Sequence, residues 1–143
     1  LLPIDALKQQ LGGIMTAHIS FANIDKEIAT FSKFWLQDIL RNKMGFTGII
    51  FSDDLSMKGS DYVGGIEAKV GKALESGCNM VLICNDRSAV IEAINFLEKK
   101  KISQSKKVAR LKASEAISWA DLKNDVRRID IIDKLNIIEK LKL

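Results

Sequence analysis

Two adjacent carboxylates, Asp53 and Asp54, stand directly after an apolar run of the sequence. The run covers residues 49–51, begins after Gly48 and ends on Ser52, which is typical of a buried strand in a parallel sheet. The carboxyl ends of such strands carry the reactive groups of α/β folds. Neighbouring side chains of an extended backbone point to opposite faces, so only one of the two carboxylates can face a common ligand. The other needs a separate partner, and the two alone do not make a general acid/base pair.

The single histidine, His18, also follows a predicted strand, and Asn85 follows another. A lone histidine is more often a packed structural residue than a catalyst, but its place at a strand end favours a pocket. Three strands are expected to lie side by side and parallel, at residues 14–17, 48–52 and 80–84. This arrangement brings His18, Asp53 and Asn85 to one end of the sheet.

Helices alternate with these strands over the first hundred residues. The predicted helices cover residues 4–11, 33–44, 66–75 and 88–99. Ser32 and Ser88 are expected to cap the second and the fourth of them. Residues 20–29 are predicted to be irregular, and residues 55–65 to form a loop that its glycines make mobile. Strands and helices that alternate through short connections predict parallel βαβ units.

The composition is that of a core-forming chain, with 143 residues, 47% hydrophobic residues and a net charge of +4. Basic residues concentrate after Lys99, where they alternate with acidic residues and lack interleaved aromatic ones. This pattern favours solvated helices over nucleic-acid binding. No run approaches the ~20 apolar residues that span a bilayer, and no signal-peptide pattern opens the chain. We therefore expect a cytoplasmic protein with neither a nucleic-acid nor a membrane partner.

The two cysteines, Cys78 and Cys84, are expected to be buried free thiols. They stand six positions apart at a predicted strand, where they face the same side but lie too far apart to form a disulfide. One histidine and two distant cysteines do not make a zinc site, and the glycines lack the spacing of a phosphate-binding loop. The sequence therefore predicts neither a metal nor a nucleotide cofactor.

Residues 45–57 read G-F-T-G-I-I-F-S-D-D-L-S-M, and two further segments accompany them. Residues 14–18 read I-M-T-A-H, and residues 73–85 read A-L-E-S-G-C-N-M-V-L-I-C-N. In content and order these segments resemble glycoside hydrolase family 3, and within it the bacterial β-N-acetylhexosaminidases of cell-wall recycling. The family's upstream block K-H-F-P-G-H-G, which holds a histidine that resembles a general acid/base, does not occur in this chain.

The resemblance implies an α/β fold, namely the C-terminal portion of a TIM-type (β/α)8 barrel. A complete barrel typically needs about 250 residues, and this sequence offers three βα units. Residues 1–100 are therefore expected to form the last three βα units of the barrel. Residues 101–143 are expected to form C-terminal helices that pack on it, at 103–119 and 122–141.

The resemblance also implies roles for individual residues. Asp53 falls on the catalytic nucleophile of the family, and Met57 resembles a methionine that lines its sugar pocket. His18 is expected to bind the sugar or to orient the site rather than to transfer protons. Supporting hydrogen bonds are expected from Ser52, Asp54 and Asn85.

The implied function is retaining hydrolysis that removes terminal β-N-acetylglucosamine from peptidoglycan-derived saccharides. It needs no cofactor, and its general acid/base lies outside this chain. Two alternatives stay open. The chain could be an inactive remnant, or one piece of a split hexosaminidase whose partner is the missing N-terminal part of the barrel. Paired acids at a strand end also resemble a phosphoacceptor signalling domain that binds Mg²⁺, although here the pair follows the second strand.

Overall fold

The computed structural model describes residues 2–112 and 117–140 of the chain. They fall into two compact units, divided between Leu111 and Lys112. The first unit contains, in chain order, α1 (Leu2–Leu7), β1 (Gly13–Met15), β2 (Ser20–Phe21), β3 (Asp25–Ile28), a π-helix (Phe34–Lys43), β4 (Ile49–Asp54), α2 (Ile66–Ser76), β5 (Met80–Leu82) and α3 (Arg87–Lys99). Short 3₁₀ helices cover Ala29–Phe31, Lys58–Val63 and Lys106–Leu111. The second unit contains α4 (Trp119–Lys123) and α5 (Val126–Lys140).

The first unit is built on a three-stranded parallel sheet in the order β1–β4–β5. The predicted side-by-side arrangement of the three strands is therefore confirmed. β1 pairs with β4 from Gly13 opposite Ile49 to Met15 opposite Phe51. β1 and β5 are shorter than predicted, whereas β4 continues through both aspartates.

The central strand β4 is covered on both faces. Ile49 and Ile50 point to opposite faces of the sheet, and both are completely buried. Ile50 belongs to the main apolar core, in which it is joined by residues of the π-helix, the loops around β4, α2 and α3, namely Leu36, Leu40, Phe46, Leu55, Val70, Ala73 and Ala93. A parallel strand with two covered faces explains why this stretch of sequence is continuously apolar and does not alternate.

Arg41, near the end of the π-helix, ties that helix to the sheet. Its Nη1 donates to the carbonyl oxygens of Phe46 at 2.8 Å and Gly48 at 2.7 Å. Its Nη2 donates at 2.7 Å to Oδ1 of Asn79, which also accepts the Ile50 N–H at 3.0 Å. These bonds fix where β4 and β5 begin, and thereby where their carboxyl ends come to lie.

The pairing of β4 with β5 contains a β-bulge. Phe51 lies opposite Met80 and Asp54 opposite Leu82, so β4 has one residue more than β5 over this stretch. Ser52 and Asp53 lie in the bulge, and the Oγ of the completely buried Ser52 accepts the Leu82 N–H at 2.9 Å. A bulge redirects the side chains within it and after it, so it sets the direction of the two aspartates that end β4.

The prediction that residues 20–29 are irregular is wrong, because this segment contains the antiparallel hairpin β2–β3. The charged residues 25–27 are poor strand formers, which concealed β3 in the sequence. Contacts from distant residues hold it: Glu27 Oε2 accepts the Tyr62 hydroxyl at 3.1 Å and pairs with Lys72 Nζ at 2.6 Å. Burial and then the Glu27 carboxylate raise the pKa of Tyr62 to about 12.

The N-cap of α3 is Asp86 and not Ser88 as predicted. Asp86 Oδ1 accepts the Ala89 N–H at 3.0 Å and the Ser88 hydroxyl at 2.6 Å. These two hydrogen bonds, with that from Ala89 the larger effect, lower the pKa of Asp86. At the start of the π-helix, Ser32 Oγ accepts the Trp35 N–H at 3.0 Å, which is the bond expected of a cap there.

The predicted helix at 103–119 is wrong in its described part. Residues 103–105 are not helical, Lys106–Leu111 form a 3₁₀ helix, and α4 begins only at Trp119, while residues 113–116 lie outside the described residues. Ser105 Oγ accepts the Lys107 N–H at 3.4 Å, and such local side-chain bonds compete with a regular helix. Within 2–112 and 117–140, no helix has the length and apolar character needed to cross a bilayer.

Candidate active site

The carboxyl ends of β1, β4 and β5 bring several of the predicted site residues together. His18 Nε2 lies 2.9 Å from the backbone oxygen of Asp54. Cys84, just beyond β5, donates its N–H to Asp54 Oδ1 at 3.0 Å. Because the three strands are parallel and adjacent, residues far apart in the chain meet at this edge. The candidate site is therefore the carboxyl edge of the sheet, centred on Asp53 and Asp54.

Asp53 presents one held and one free carboxylate oxygen. Its Oδ1 accepts the N–H of Asp54 at 2.9 Å, while Oδ2 receives no hydrogen bond from any described residue. Among the described residues the only fully enclosed side-chain polar atom without a partner is Trp35 Nε1, so Asp53 Oδ2 is not fully enclosed, and Asp53 as a whole is half-buried. The backbone N–H of Asp53 donates to Thr16 Oγ1 at 3.0 Å. Asp53 is thus a fixed carboxylate with an oxygen available for a ligand.

The carboxylate of Asp54 instead joins the end of β4 to the end of β5. Its Oδ1 accepts the Ser56 N–H at 2.9 Å, the Ser56 hydroxyl at 2.7 Å and the Cys84 N–H at 3.0 Å. Burial alone would raise the pKa of the Asp54 carboxyl, but the bonds from Ser56 and Cys84 together lower it below its ordinary value. Asp54 is therefore a structural anion whose carboxylate is occupied by Ser56 and Cys84.

His18 has both ring nitrogens engaged by the protein. Nδ1 lies 3.1 Å from Thr30 Oγ1, and Nε2 lies 2.9 Å from the Asp54 oxygen. The ring also stacks on Phe31 at a centroid distance of 6.0 Å. Neither nitrogen is left for a sugar hydroxyl or for proton transfer. Of the two roles expected for His18, this geometry favours orientation of the site over contact with the sugar.

The loop after β4 is more ordered than its glycines suggested. Leu55 O accepts the Ser60 hydroxyl at 2.9 Å and Lys69 Nζ at 3.1 Å. Ser60 Oγ also lies 2.8 Å from Met57 O, so its single proton is shared between the two carbonyls, and Lys69 pairs with Asp61 at 2.7 Å. Ser60 and Lys69 are both buried, so these bonds tie the loop to the interior of the first unit. The Met57 side chain remains exposed, as a residue that contacts a ligand at the mouth of the sheet would be.

Close approach of the same loop to His18 requires a glycine. A Cβ added at Gly59 would lie 2.9 Å from the Cβ of His18. The space between this loop and the end of β1 is therefore filled, and a larger residue at position 59 would displace the imidazole.

The other predicted residues have backbone roles. Ser52 serves the β4–β5 pairing and does not reach the mouth of the site. Asn85 is exposed, adopts φ of +57°, and makes no side-chain hydrogen bond with a described residue. Asparagine is one of the few side chains that tolerate this left-handed conformation. Asn85 therefore turns the chain between β5 and α3.

Four residues that contact the site escaped the sequence analysis: Thr16, Thr30, Ser60 and Lys69. Thr16 and His18 are two apart and could have been recognised as sharing one face of an extended segment. The other three carry no local signal, since their partners are distant in the chain. Cys84 is exposed and not buried as predicted, whereas Cys78 is buried, and both are free.

The described residues contain no group of three or more histidine, cysteine, aspartate or glutamate side chains that could hold a metal ion. A groove of about 1020 Å³ lies between α2 and α3, lined by Gly71 and Phe96 among others, and includes none of the residues at the strand ends. The chemistry available at the candidate site is therefore that of one fixed carboxylate beside ordered backbone.

A parallel sheet whose central strand ends on a carboxylate places that group at the edge where α/β folds bind their ligands. Residues 4–116 match the glycosyl hydrolase family 3 N terminal domain. The chain belongs to this family.

Two relatives and two solved structures define the similarity further. A beta-hexosaminidase from Idiomarina loihiensis is 43% identical over 129 residues, which are 89% of this chain and 39% of the relative. One from Pseudomonas aeruginosa is 35% identical over 141 residues, 93% of this chain and 42% of the relative. NagZ from Neisseria gonorrhoeae, solved with N-trifluoroacetyl-D-glucosamine, has a TM-score of 0.69 and 29% identity, with 85% of this chain and 34% of that chain covered. The β-N-acetylglucosaminidase from Thermotoga maritima has a TM-score of 0.63 and 32% identity, with 77% and 26% covered.

The chain spans about two fifths of the length of these two curated relatives. The similarity therefore extends over nearly all of this chain and over less than half of each relative.

Proposed function

We propose that this chain carries the nucleophile of a retaining β-N-acetylhexosaminidase, and that Asp53 is this nucleophile. The observation that carries the proposal is the geometry of the Asp53 carboxylate. Oδ1 is held by the Asp54 N–H, and Oδ2 is free and not fully enclosed at the carboxyl end of the central strand. A fixed carboxylate with one free oxygen is what covalent catalysis at an anomeric carbon needs.

In the proposed reaction, Asp53 Oδ2 attacks the anomeric carbon as the bond from that carbon to the leaving oxygen breaks. The leaving oxygen takes a proton from a general acid, and water then hydrolyses the glycosyl ester and regenerates the carboxylate. The Asp54 N–H fixes the rotamer of Asp53 throughout. His18, the only histidine, has both nitrogens engaged and does not supply the proton. The general acid/base is proposed to lie outside this chain.

The three strands are proposed to be the last three of a (β/α)8 barrel. β1 and β5 each pair on one side only within the described residues, as strands do when the rest of a barrel continues from both edges. The remaining strands would also supply the walls of the sugar pocket and the general acid. The share of its relatives that the chain spans supports this arrangement.

The substrate is proposed to be a saccharide with a terminal β-N-acetylglucosamine derived from peptidoglycan. Support comes from the hexosaminidase relatives and from the N-trifluoroacetyl-D-glucosamine bound to the Neisseria NagZ. Met57, exposed at the mouth of the sheet, is proposed to contact the sugar. A cytoplasmic location stays a prediction of the sequence.

A second candidate is that the chain is inactive by itself, as a remnant or as one piece of a split hexosaminidase. The two one-sided edges of the sheet favour it, because they leave a parallel sheet incomplete. General acid catalysis is typically worth about 10²–10⁴-fold, so the chain without its donor should hydrolyse natural saccharides negligibly. The family match gives the signalling alternative no support.

A chimera separates these candidates. This chain would replace the matched 129-residue segment of the Idiomarina loihiensis beta-hexosaminidase, and the product would be assayed on a nitrophenyl N-acetylglucosaminide and on a muropeptide sugar. We expect an active chimera in which Asp53→Asn lowers kcat by at least about 10³-fold and Asp54→Asn lowers it less. A fluorinated sugar that traps the covalent intermediate should label Asp53.

Label on another residue, or an active Asp53→Asn chimera, would contradict the assignment of the nucleophile. A folded but inactive chimera would favour the remnant. Robust hydrolysis of the muropeptide sugar by this chain alone would show that it contains a proton donor, and would move His18 from its expected role into that one.

A further inference from the structure

A continuous line of hydrogen bonds runs from one side of Asp53 to the other. The Asp53 N–H donates to Thr16 Oγ1 at 3.0 Å, and Thr16 Oγ1 lies 2.9 Å from Thr30 Oγ1. Thr30 Oγ1 lies 3.1 Å from His18 Nδ1, and His18 Nε2 lies 2.9 Å from the backbone oxygen of Asp54. Three side chains from two segments of the chain thus connect the backbone N–H of Asp53 to the backbone carbonyl of Asp54.

The direction of every bond in this line follows from its two ends. A backbone carbonyl only accepts, so His18 Nε2 must carry the proton that it shares with Asp54. In a neutral imidazole Nδ1 then has only a lone pair, and the Thr30 hydroxyl must donate to it. The single hydroxyl proton of Thr30 is thereby used, so Thr16 donates to Thr30. Thr16 in turn accepts the Asp53 N–H, and each group donates and accepts once.

The opposite protonation fits less well. A proton on Nδ1 would donate to Thr30, and Thr30 would then donate to Thr16. Thr16 would receive both that proton and the Asp53 N–H, which would leave its own hydroxyl proton without an acceptor in the line. This protonation would also place an unprotonated Nε2 against the Asp54 carbonyl oxygen at 2.9 Å, and neither atom would then have a proton to share.

The line stands where the pairing between strands ends. β1 pairs with β4 only as far as Met15 opposite Phe51, with one further bond from the Thr16 N–H to Phe51 O at 3.0 Å. Beyond this point Asp53 and Asp54 have no main-chain partner on the β1 side. Side chains bind these backbone groups instead: Thr16 binds the N–H of Asp53, and His18 binds the carbonyl of Asp54.

We propose that Thr16, Thr30 and His18 are positioning residues for Asp53, and that they hold His18 as the neutral Nε2–H tautomer. They do so by binding the N–H of Asp53 and the carbonyl of Asp54, so the carboxylate is carried on a backbone fixed from both sides. Only the description of Asp53 as a nucleophile rests on the proposed function. The tautomer and the hydrogen bonds concern the folded chain alone.

Nitrogen-15 NMR of the full chain tests the tautomer directly. Because His18 is the only histidine, the long-range proton–nitrogen spectrum contains a single imidazole. At pH 8 we expect a protonated, pyrrole-like Nε2 and an unprotonated Nδ1. Since free histidine also favours this tautomer, Thr30→Val is the comparison. It removes the hydroxyl that donates to Nδ1 and should shift the Nδ1 signal further toward that of an unbonded nitrogen.

Hydrogen exchange tests the other end of the line. Thr16→Val keeps the shape of the side chain but removes the acceptor, and should speed exchange of the Asp53 amide about tenfold. Thr16→Ser keeps the hydroxyl and should restore slow exchange. The Ile50 amide, which is bonded to Asn79, is the internal control and should not change in either variant. In the active chimera, Thr16→Val should lower kcat more than it raises KM, and Thr16→Ser should recover most of the loss.

An Nδ1–H tautomer in the wild-type chain, an Nδ1 signal that Thr30→Val leaves unchanged, or an Asp53 amide that exchanges equally in Thr16→Val and wild type would each overturn the proposal. The first of these outcomes is measured on the wild-type chain, so the proposal can be refuted even if a variant folds poorly. Covalent labelling of a residue other than Asp53 would refute the proposed function and leave these NMR results unaffected. The two failures are therefore distinguishable.

Discussion

Replacing Lys69 with methionine is expected to destabilise the first unit by about 2 kcal/mol and to loosen the loop after β4. Lys69 is only 7% exposed, although it carries a charge. Its Nζ donates to Leu55 O at 3.1 Å and to Asp61 Oδ1 at 2.7 Å. Methionine fills similar volume without the ammonium, so the variant removes the two hydrogen bonds and leaves the packing nearly unchanged.

The magnitude follows from the two partners. A hydrogen bond from a charged donor contributes roughly 1.5–3 kcal/mol, but the variant also removes the cost of keeping an ammonium away from water. The bond with Leu55 is therefore expected to contribute about 1.5 kcal/mol, the low end of this range. The Asp61 side chain is 62% exposed, so its pair with Lys69 adds at most about 1 kcal/mol. Leu55 O keeps the Ser60 hydroxyl, so the substitution leaves no buried acceptor unpaired.

Urea unfolding followed by Trp35 fluorescence measures this effect. A Trp119→Phe background removes the tryptophan of the second unit, so the signal reports only on the first. Lys8→Met is the matched control in the same unit, because Lys8 also pairs with an aspartate, Asp5, at 2.6 Å, but this pair is exposed. The control should cost about 0.5 kcal/mol or less. If Lys69→Met costs no more than Lys8→Met, the loop is not held by Lys69.

Three further outcomes are expected. Burial would raise the pKa of Asp54, but its hydrogen bonds lower that pKa below the value of about 3.9 in the unfolded chain. The ionised carboxylate therefore stabilises the fold fully above about pH 3.9, and this stabilisation is lost as the pH falls through the pKa of the folded state. The difference in unfolding free energy between wild type and Asp54→Asn should therefore shrink only below about pH 4, and a constant difference down to pH 2 would contradict this. Burial raises the pKa of Cys78 to about 12, whereas Cys84 is exposed. A thiol reagent should therefore modify only Cys84 in the native chain and both cysteines in denaturant. Modification of Cys78 in a native Cys84→Ser chain would refute this. Asp86→Ala should lower the melting temperature more than Ser88→Ala, because Asp86 is the cap, and the reverse order would restore Ser88 to that role.

The sequence predicted the parallel strands and the acids at their ends because these signals are local. A continuous apolar run that stops on Asp53 indicates a covered strand whichever residues cover it. The helices at 66–75 and 88–99 were also predictable, since each has apolar residues at helical spacing and a glycine or a polar capping residue at one end. Failures came where local preference opposed the fold, as in β3, whose charged residues are held by Tyr62 and Lys72.

The different roles of Asp53 and Asp54 follow from the sequence and the tertiary structure together. The sequence determined that neighbours on an extended backbone cannot face one ligand, and the family resemblance singled out Asp53. Only the tertiary structure decided which carboxylate keeps a free oxygen. Asp54 is occupied because β5 ends beside it and the Cys84 N–H points at its Oδ1, a contact that the spacing of residues 54 and 84 does not reveal.

By itself, then, the sequence determined the family, the three parallel strands and the location of the acids, because each of these depends on contiguous stretches of chain. Only the tertiary structure decided how Asp53 is held. Thr16 and Thr30 are 14 residues apart, and their hydroxyls meet because the hairpin β2–β3 returns the chain beside the end of β1. Lys69 is buried because α2 packs beneath the loop that it binds. Hydrogen bonds between distant segments leave no periodic trace in a sequence, since they depend on where the backbone has been brought by packing.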